Sequence, residues 1–213
     1  MVKPIVDCTL YTFVDTAYLQ GRSPEIVAQA LCDGGADLVQ LRAKNSPPDA
    51  IRRMAEAVVA VTRRANVGLV INDHLDIARD VGAEFCHLGQ EDFFDAGHKH
   101  VSEVLDAACR VRIGLSTHAP AQADRAACAG ADYVAIGPVF ATATKPTTRP
   151  VTLEYVRWAT ANLALPWFAI GGINLNTIDA VLEAGAKRIC VVSAILNAPD
   201  IVRACAEFRQ RLS

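Results

Sequence analysis

Two aspartates in this sequence each follow a short apolar run, in a pattern typical of a site for a divalent cation. Asp73 comes after Leu69–Ile71, and Asp92 comes after Phe85–Leu88. Magnesium takes oxygen ligands and is commonly held by one or two carboxylates together with substrate phosphates. Either aspartate alone is explained better as a helix N-cap, in which the carboxylate accepts backbone N–H bonds. The occurrence of both, among Lys and Arg residues, favours a magnesium pair.

Cationic side chains near these aspartates predict a ligand with several negative charges. Arg42 and Lys44 follow the second apolar run, and Lys145 lies in the segment after the sixth. Arg grips phosphate oxygens in a bidentate manner, whereas Lys acts as a compact point charge. A solvated surface position remains an open alternative for Lys44. Together with magnesium, these charges favour a diphosphate over a monophosphate.

A second anion site is predicted where the last two apolar runs end. Gly171-Gly172 follows the seventh run, and Ser193 follows the eighth. Glycine lets backbone N–H groups approach a phosphate closely, and the N-terminus of a following helix favours an anion. A tight turn is the alternative explanation for the two glycines, but their position favours phosphate. The neutral amides of Gln40 and Asn72 suit the orientation of a polar ring or a phosphate oxygen.

Eight apolar runs rich in branched residues alternate with stretches of helical period, and these elements must position the polar groups. The predicted strands are Leu10–Val14, Leu38–Leu41, Leu69–Ile71, Phe85–Leu88, Arg112–Leu115, Tyr133–Ile136, Trp167–Ile170 and Ile189–Val192. Helical patterns cover Ile51–Arg64, Val101–Cys109, Thr177–Glu183 and Ile201–Leu212. Four helices are expected to end at Gly35-Ala36, Gly82-Ala83, Gly130-Ala131 and Gly185-Ala186, because Gly adopts the left-handed conformation common at helix ends.

This alternation predicts serial βα units and an α/β fold. The strands lack period-two alternation, so we expect both faces of the sheet to be covered. Eight units predict a (β/α)8 TIM barrel, with residues 1–213 as a single domain. A doubly wound open sheet is the competing architecture. In a barrel, the polar groups described above would gather at the C-terminal strand ends, where ligands bind.

Composition and charge argue against several classes of function. The net charge is −2 without a basic or acidic block, which argues against a nucleic-acid surface. No charged start precedes a long apolar stretch, so we expect no signal peptide, no membrane span and a cytoplasmic location. The seven cysteines include no C-x-x-C pair and predict buried, reduced thiols. Assembly into a homo-oligomer is left open.

Seven motifs resemble those of the thiamine phosphate synthase family, in the same order from the first strand to the last helix. They are Gln40–Lys44, Asn72-Asp73, His87–Asp92, Gly114–His118, Gly137–Lys145, Ile170–Ile173 and Val191–Ile195. Two local departures are Ala43, where the family often has an acidic residue, and His74, where Arg is common. Neither departure involves the aspartate pair.

The resemblance implies an enzyme that joins hydroxymethylpyrimidine diphosphate to hydroxyethylthiazole phosphate and releases diphosphate. It implies magnesium as the cofactor, with Asp73 and Asp92 as its ligands. It places Gln40, Arg42, Lys44, Asn72, Ser116 and Lys145 around the pyrimidine diphosphate, and Thr142, Thr144, Gly172, Val192 and Ser193 around the thiazole phosphate. Its partners would be these two small molecules, with no nucleic acid and no membrane.

The implied chemistry suits these residue types. Diphosphate leaves a benzylic-type carbon, so departure can precede attack and leave a cation stabilised by the pyrimidine. The catalytic groups would be Arg42, Lys44, Ser116 and Lys145, because charge stabilisation on the leaving oxygens is usually the largest catalytic contribution. The thiazole nitrogen then attacks the cation. We expect the Thr142–Pro150 loop to close over the substrates and exclude water.

Two other functions remain open. A related thiazole tautomerase would move a proton on the thiazole phosphate, with His118 as acid or base, and would release no diphosphate. That function leaves the Asp73–Asp92 pair and the charges of Lys44 and Lys145 unexplained. A non-catalytic sensor of a phosphate ligand could use the same scaffold, although the sequence contains no recognisable effector or DNA-binding element.

Overall fold

Eight parallel strands close into a barrel in chain order, because the last strand pairs with the first. The structure is a computed structural model that describes residues 2–106, 109–142 and 149–212. The strands are β1 (Leu10–Asp15), β2 (Leu38–Arg42), β3 (Gly68–Asn72), β4 (Phe85–Leu88), β5 (Arg112–Thr117), β6 (Tyr133–Ile136), β7 (Trp167–Ile170) and β8 (Ile189–Cys190). The closed ring confirms the predicted (β/α)8 fold, and the open-sheet alternative is wrong.

Helices cover the outside of this ring. They are α1 (Pro24–Asp33), α2 (Pro48–Ala65), α3 (Leu75–Val81), α4 (Pro120–Cys128), α5 (Thr152–Asn162), α6 (Ile178–Glu183), α7 (Ser193–Leu196) and α8 (Ile201–Arg211). The longest, α2, starts with Pro48 in its first turn, where the missing N–H has no helical partner to lose. Its buried side carries Ile51, Ala55 and Val58, so the helix is held by the apolar stripe that packs on the sheet.

Burial on both faces of the strands explains their sequence pattern. Every residue of β1, β4 and β6 is buried, as expected for parallel strands that face helices on one side and the barrel interior on the other. Inside the barrel, Gly114 of β5 lies opposite Tyr133 of β6. A Cβ atom at Gly114 would lie 2.1 Å from Cζ of Tyr133. The glycine therefore makes room for a buried tyrosine in the middle of the barrel.

The structure agrees with the predicted helix ends but not with one of the predicted helices. All four predicted glycines after helices have positive φ: Gly35, Gly82, Gly130 and Gly185. The predicted helix Val101–Cys109 is wrong for the described residues, because only a 3₁₀ turn, Val101–Glu103, forms there. The N–H of Val101 donates to the carbonyl of Ala129, which ties the segment to the loop before β6 instead of to a helix of its own. Residues 107–108 lie outside the described part.

No helix within the described ranges is long and apolar enough to span a bilayer. That finding agrees with the absence of an apolar run of such length in the sequence.

Candidate active site

A cavity opens at the C-terminal ends of the barrel strands. Eight of the predicted site residues line it: Gln40, Arg42, Asn72, Ser116, Thr142, Gly172, Val192 and Ser193. Most of these lie at or close to the C-terminal end of a strand. The remaining walls include Tyr11, Phe13, His87 and His118. The barrel thus brings together side chains that lie as far apart in the sequence as Tyr11 and Ser193.

A line of hydrogen bonds crosses the barrel interior beneath this cavity. Gln40 Nε2 donates to the Tyr11 hydroxyl at 2.5 Å, and the Tyr11 and Tyr133 hydroxyls are 3.1 Å apart. His87 Nδ1 lies 3.1 Å from the Tyr133 hydroxyl, and its Nε2 lies 2.9 Å from Ser116 Oγ. We call these five residues the polar relay. Both of its ends, Gln40 and Ser116, line the cavity.

Arg42 is fixed by a partner at the end of the first strand. Its Nη1 atom lies 2.7 Å from Oδ2 of Asp15, whose side chain is almost wholly buried. The other carboxylate oxygen of Asp15 accepts from the N–H of Ala17 at 3.0 Å. Because both oxygens of Asp15 are engaged, the guanidinium of Arg42 has a defined position at the cavity wall. Its remaining N–H groups provide donors for an anion.

The aspartate pair lies beside the cavity rather than in its lining. The carboxyl groups of Asp73 and Asp92 are close enough for the charge of one to act on the other, and Lys44 Nζ lies 3.8 Å from Oδ2 of Asp73. Burial raises the pKa of Asp73, and the nearby Asp92 raises it further, against the opposing effect of Lys44. Two carboxylates held this close repel each other when both are ionised, and a bound cation would relieve that repulsion.

The backbone at Asp73 is strained in a way that a helix cap does not require. Its φ is 64°, and the N–H of His74 donates to the carbonyl of Asn72 at 2.9 Å, which makes Asp73 the centre of a γ-turn with positive φ. Such turns are rare, and strained conformations of this kind cost on the order of 1–3 kcal/mol. The Asp73 side chain leaves this turn beside Asp92 and Lys44.

Neither aspartate is the N-cap of a following α-helix. His74 occupies the N-cap position of α3 and makes no side-chain cap. Asp92 lies inside a short π-helical turn, Glu91–Asp95, and its Oδ2 accepts from the N–H of Gly89 at 3.1 Å. The alternative explanation of Asp73 and Asp92 as helix caps therefore fails. Among the described residues, no group of three or more His, Cys, Asp or Glu side chains could hold a metal.

The glycine pair after β7 is packed tightly against the segment after β6. Gly171 and Gly172 have φ values of 103° and 66°, and a Cβ atom at Gly171 would lie 2.4 Å from Cα of Pro138. Close packing thus accounts for the need for glycine at Gly171. At the neighbouring strand end, the first hydrogen bonds of α7 come from the amides of Ile195 and Leu196, so the amides of Ser193 and Ala194 precede the bonded turn. Ser193 and Gly172 line the cavity, and their backbone N–H groups suit an anion.

His118 also reaches the cavity. Its Nδ1 lies 2.5 Å from the carbonyl oxygen of Gly137, so Nδ1 carries the hydrogen of this bond and Nε2 is the nitrogen available to accept in the neutral ring. His98 and His100, in contrast, lie at the surface, where the His100 ring accepts from the N–H of Ser102 and caps a 3₁₀ turn. They take no part in the cavity.

The cysteines provide no activated nucleophile in the described ranges. All seven are free thiols, and Cys8, Cys86, Cys190 and Cys205 are buried as predicted. Cys128 is exposed, against the prediction of buried thiols. Cys190 lies in the cavity wall, where burial raises its pKa well above the ordinary value, so it stays protonated at neutral pH.

Two predicted contacts lie outside the described residues. Thr144 and Lys145 belong to residues 143–148, so their positions relative to the cavity are not part of the structure as described. The neighbouring Thr142 does line the cavity.

Four residues of the site were missed in the sequence: Tyr11, Asp15 and Tyr133, and His87 in its relay role. Asp15 directly ends the first apolar run, so the same rule that selected Arg42 and Asn72 would have found it. The two tyrosines carry no such signal, because an aromatic residue in a strand is most often a core residue. His87 starts one of the family motifs, and the structure shows it both buried and at the cavity wall.

The sequence as a whole is similar to one family of proteins. Residues 10–195 match the family described as "Thiamine monophosphate synthase". The chain is 46% identical over 180 residues to Thiamine-phosphate synthase of Thermus thermophilus, with 84% of each chain covered. It is 37% identical over 209 residues to Thiamine-phosphate synthase of Lawsonia intracellularis, with 97% of this chain and 94% of that one covered.

Solved structures show the same fold. Thiamine phosphate pyrophosphorylase from Pyrococcus furiosus superposes with a TM-score of 0.85 at 27% identity, covering 99% of this chain and 98% of that one. The barrel of 3-hexulose-6-phosphate synthase superposes with a TM-score of 0.69 at 20% identity, covering 96% and 100%. This second likeness concerns the fold alone.

Proposed function

This chain belongs to the thiamine monophosphate synthase family, and we propose that it joins hydroxymethylpyrimidine diphosphate to hydroxyethylthiazole phosphate with release of diphosphate. Thiamine-phosphate synthesis is the function that family membership supports, and the chain is accordingly an enzyme of thiamine biosynthesis. The two substrates, the transferase reaction and the metal are the parts we propose. The observation that carries them is the pairing of Asp73 with Asp92, close enough for Asp92 to raise the pKa of Asp73, beside a cavity that Arg42 lines.

The aspartate pair suits magnesium. Asp73 has a raised pKa because it is buried and faces Asp92, which is the arrangement expected of carboxylates that share a cation. Two carboxylates without a third protein ligand leave most of an octahedral shell to water and substrate oxygens, as magnesium prefers. Asp73 and Asp92 would hold the ion, which when bound supplies positive charge to the diphosphate oxygens.

Cations of the chain would stabilise the same leaving group. Arg42 presents a guanidinium held by Asp15, and Lys44 reaches the pair from the end of β2. Their charge lowers the free energy of the diphosphate as the bond to the pyrimidine methylene carbon breaks. We assign Lys145 the same role, as a proposal that rests on the sequence motif alone. Ser116 and Asn72, at the ends of β5 and β3, would orient the pyrimidine diphosphate by hydrogen bonds.

The second substrate would bind on the opposite wall. The amides near Gly172 and Ser193 would hold its phosphate, with Thr142 beside them and Thr144 proposed from the motif. The anchored phosphate would hold the thiazole nitrogen close to the pyrimidine cation, which converts the attack into an effectively intramolecular step. No protein nucleophile is needed, and the buried thiol of Cys190 is poorly suited to act as one.

A thiazole tautomerase is the second candidate, because His118 lines the cavity with Nε2 available to accept a proton. That function would make no use of the Asp73–Asp92 pair or of Arg42. We therefore rank it behind the synthase.

One assay tests both candidates. The protein is incubated with both substrates, with and without magnesium, and diphosphate and thiamine phosphate are measured. The synthase predicts equal amounts of both products, and only with the metal. An Asp92→Ala variant with an unchanged circular dichroism spectrum should lose most of this turnover, whereas Asp95→Ala in the same π-helical turn serves as the matched control. Isomerised thiazole phosphate without diphosphate would support the tautomerase instead.

A further inference from the structure

The polar relay contains two tyrosines that the proposed chemistry does not use. Tyr11 and Tyr133 are each 1% exposed or less and lie inside the barrel, with their rings arranged edge to face. A buried hydroxyl is costly unless it is hydrogen-bonded, and apolar side chains of similar size surround them, for example Phe168. Phenylalanine would therefore suffice if packing alone were required. The two hydroxyl groups call for another explanation.

Both tyrosines keep their hydrogens at neutral pH. Burial raises the pKa of Tyr11 and of Tyr133 well above the ordinary value of 10. Each hydroxyl therefore has one hydrogen to donate and accepts with its oxygen. A row of such groups has a direction, because each member that accepts on one side donates on the other.

The amide of Gln40 sets this direction. Its Nε2 can only donate to Tyr11, so the acceptor for the Tyr11 hydrogen within the described structure is the Tyr133 oxygen. Tyr133 then donates to Nδ1 of His87, and the neutral ring must carry its hydrogen on Nε2. That Nε2–H group donates to Ser116 Oγ at 2.9 Å, so the serine hydrogen is directed elsewhere.

We propose that Tyr11, Tyr133 and His87 are positioning residues that make Ser116 a hydrogen-bond donor toward the ligand. The same direction leaves the carbonyl oxygen of Gln40 to accept from the ligand. One end of the relay would thus recognise a lone pair, such as a ring nitrogen or a phosphate oxygen, and the other end an N–H group. The identity of the ligand rests on the proposed function, whereas the direction of the relay does not.

Reversal shows why the two ends are coupled. If the Gln40 amide turned its oxygen to Tyr11, every hydrogen in the relay would shift, and Nδ1 of His87 would become the protonated nitrogen. Ser116 would then donate to His87 and show the ligand only a lone pair. A ligand with the opposite pattern of donors and acceptors would have to reverse five groups, which is a source of specificity at two separate points.

The first test measures the tautomer of His87 without any substrate. ¹⁵N-histidine-labelled protein is studied by NMR at about pH 8, where an ordinary imidazole is neutral. The wild type should show Nε2 protonated and Nδ1 without a hydrogen. Tyr133→Phe should replace this single tautomer by a mixture, and Tyr11→Phe provides a second break if the first variant does not fold. Tyr155→Phe is the control, because its buried hydroxyl bonds to Thr117 and Ala119 outside the relay. Protonated Nδ1 in the wild type, or an unchanged tautomer in both relay variants, would overturn the proposal.

The second test is a double-mutant cycle on the synthase reaction. Tyr133→Phe should raise KM for the pyrimidine diphosphate about 3- to 10-fold, the equivalent of one hydrogen bond, with a smaller change in kcat. Combined with Ser116→Ala, it should have no further effect, because the relay acts through that serine. Additive losses would show a purely structural role and would contradict the proposal. Absence of synthase activity in the wild type would refute the proposed function, while the NMR measurement would still decide the relay.

Discussion

Replacement of Asp73 by Asn should make the metal-free protein more stable while it removes the response to magnesium. The carboxyl group of Asp73 lies near that of Asp92, and its pKa is raised by burial and by the charge of that neighbour. Asn is nearly the same size and tolerates positive φ, so the γ-turn is retained while the repulsion is lost. Stability and function therefore oppose each other at this position.

The magnitude follows from the exposure of the pair and from its surroundings. The Asp73 side chain is 24% exposed, and Lys44 at 3.8 Å offsets part of the repulsion. We expect a gain of about 1 kcal/mol, at the upper end of the values for exposed charge pairs. For a chain of this size, that gain corresponds to a rise in Tm of about 2–4 °C.

Thermal unfolding in the presence of a chelator measures this gain. A carboxyl group whose folded pKa is raised destabilises the fold above that pKa, and the destabilisation disappears below the unfolded value of about 3.9. The advantage of Asp73→Asn should thus be full at neutral pH and shrink on acidification. Added magnesium should stabilise the wild type but not Asp73→Asn, by up to about 2.7 kcal/mol at a hundredfold excess over Kd, and so raise the Tm of the wild type.

A matched variant separates this effect from a general effect of lost charge. Asp80 is paired with Arg52 at 2.6 Å, so Asp80→Asn should lower the Tm slightly or leave it unchanged, and its response to magnesium should match that of the wild type. The reasoning would be refuted if Asp73→Asn were less stable than the wild type at neutral pH without metal. It would also be refuted if this variant kept the full response to magnesium.

Three other predictions concern the rest of the site. Asp15→Asn should reduce the free energy of unfolding by about 3 kcal/mol in urea titrations, because it removes the buried negative charge that is paired with Arg42. The same variant should raise KM for the pyrimidine diphosphate. Gly171→Ala should lower the Tm and weaken binding of the thiazole phosphate in calorimetry, since its Cβ would meet Pro138 at 2.4 Å; normal affinity would contradict this. A thiol reagent at neutral pH should label the exposed Cys128 first, without loss of activity, and mass spectrometry of the labelled peptides measures this order. Early loss of activity would argue for a functional thiol.

The barrel could be predicted from the sequence because its signals are local and repeated. Each unit contains an apolar run rich in branched residues and a stretch of helical period. Four units end in Gly-Ala, and the glycine of each pair has a positive φ in the structure. The segment from Val101 broke this rule because its backbone bonds to Ala129, far along the chain. A distant partner of that kind leaves no trace in the local pattern, and so the predicted helix was wrong.

Site residues could be predicted where chemistry coincides with a strand end. Arg42, Asn72 and Ser116 carry polar groups at the rim, and a core would not require them there. Tyr11 and Tyr133 lie deeper, in the layer of side chains that fills the barrel, where aromatic residues are ordinary. Only the three-dimensional contacts show that their hydroxyls meet. Residues expected to contact ligands can therefore be predicted from the sequence, because polar groups at strand ends are unusual in a core. Residues that would orient those side chains cannot, because a buried tyrosine is indistinguishable from a core residue until the structure shows the hydrogen bonds of its hydroxyl.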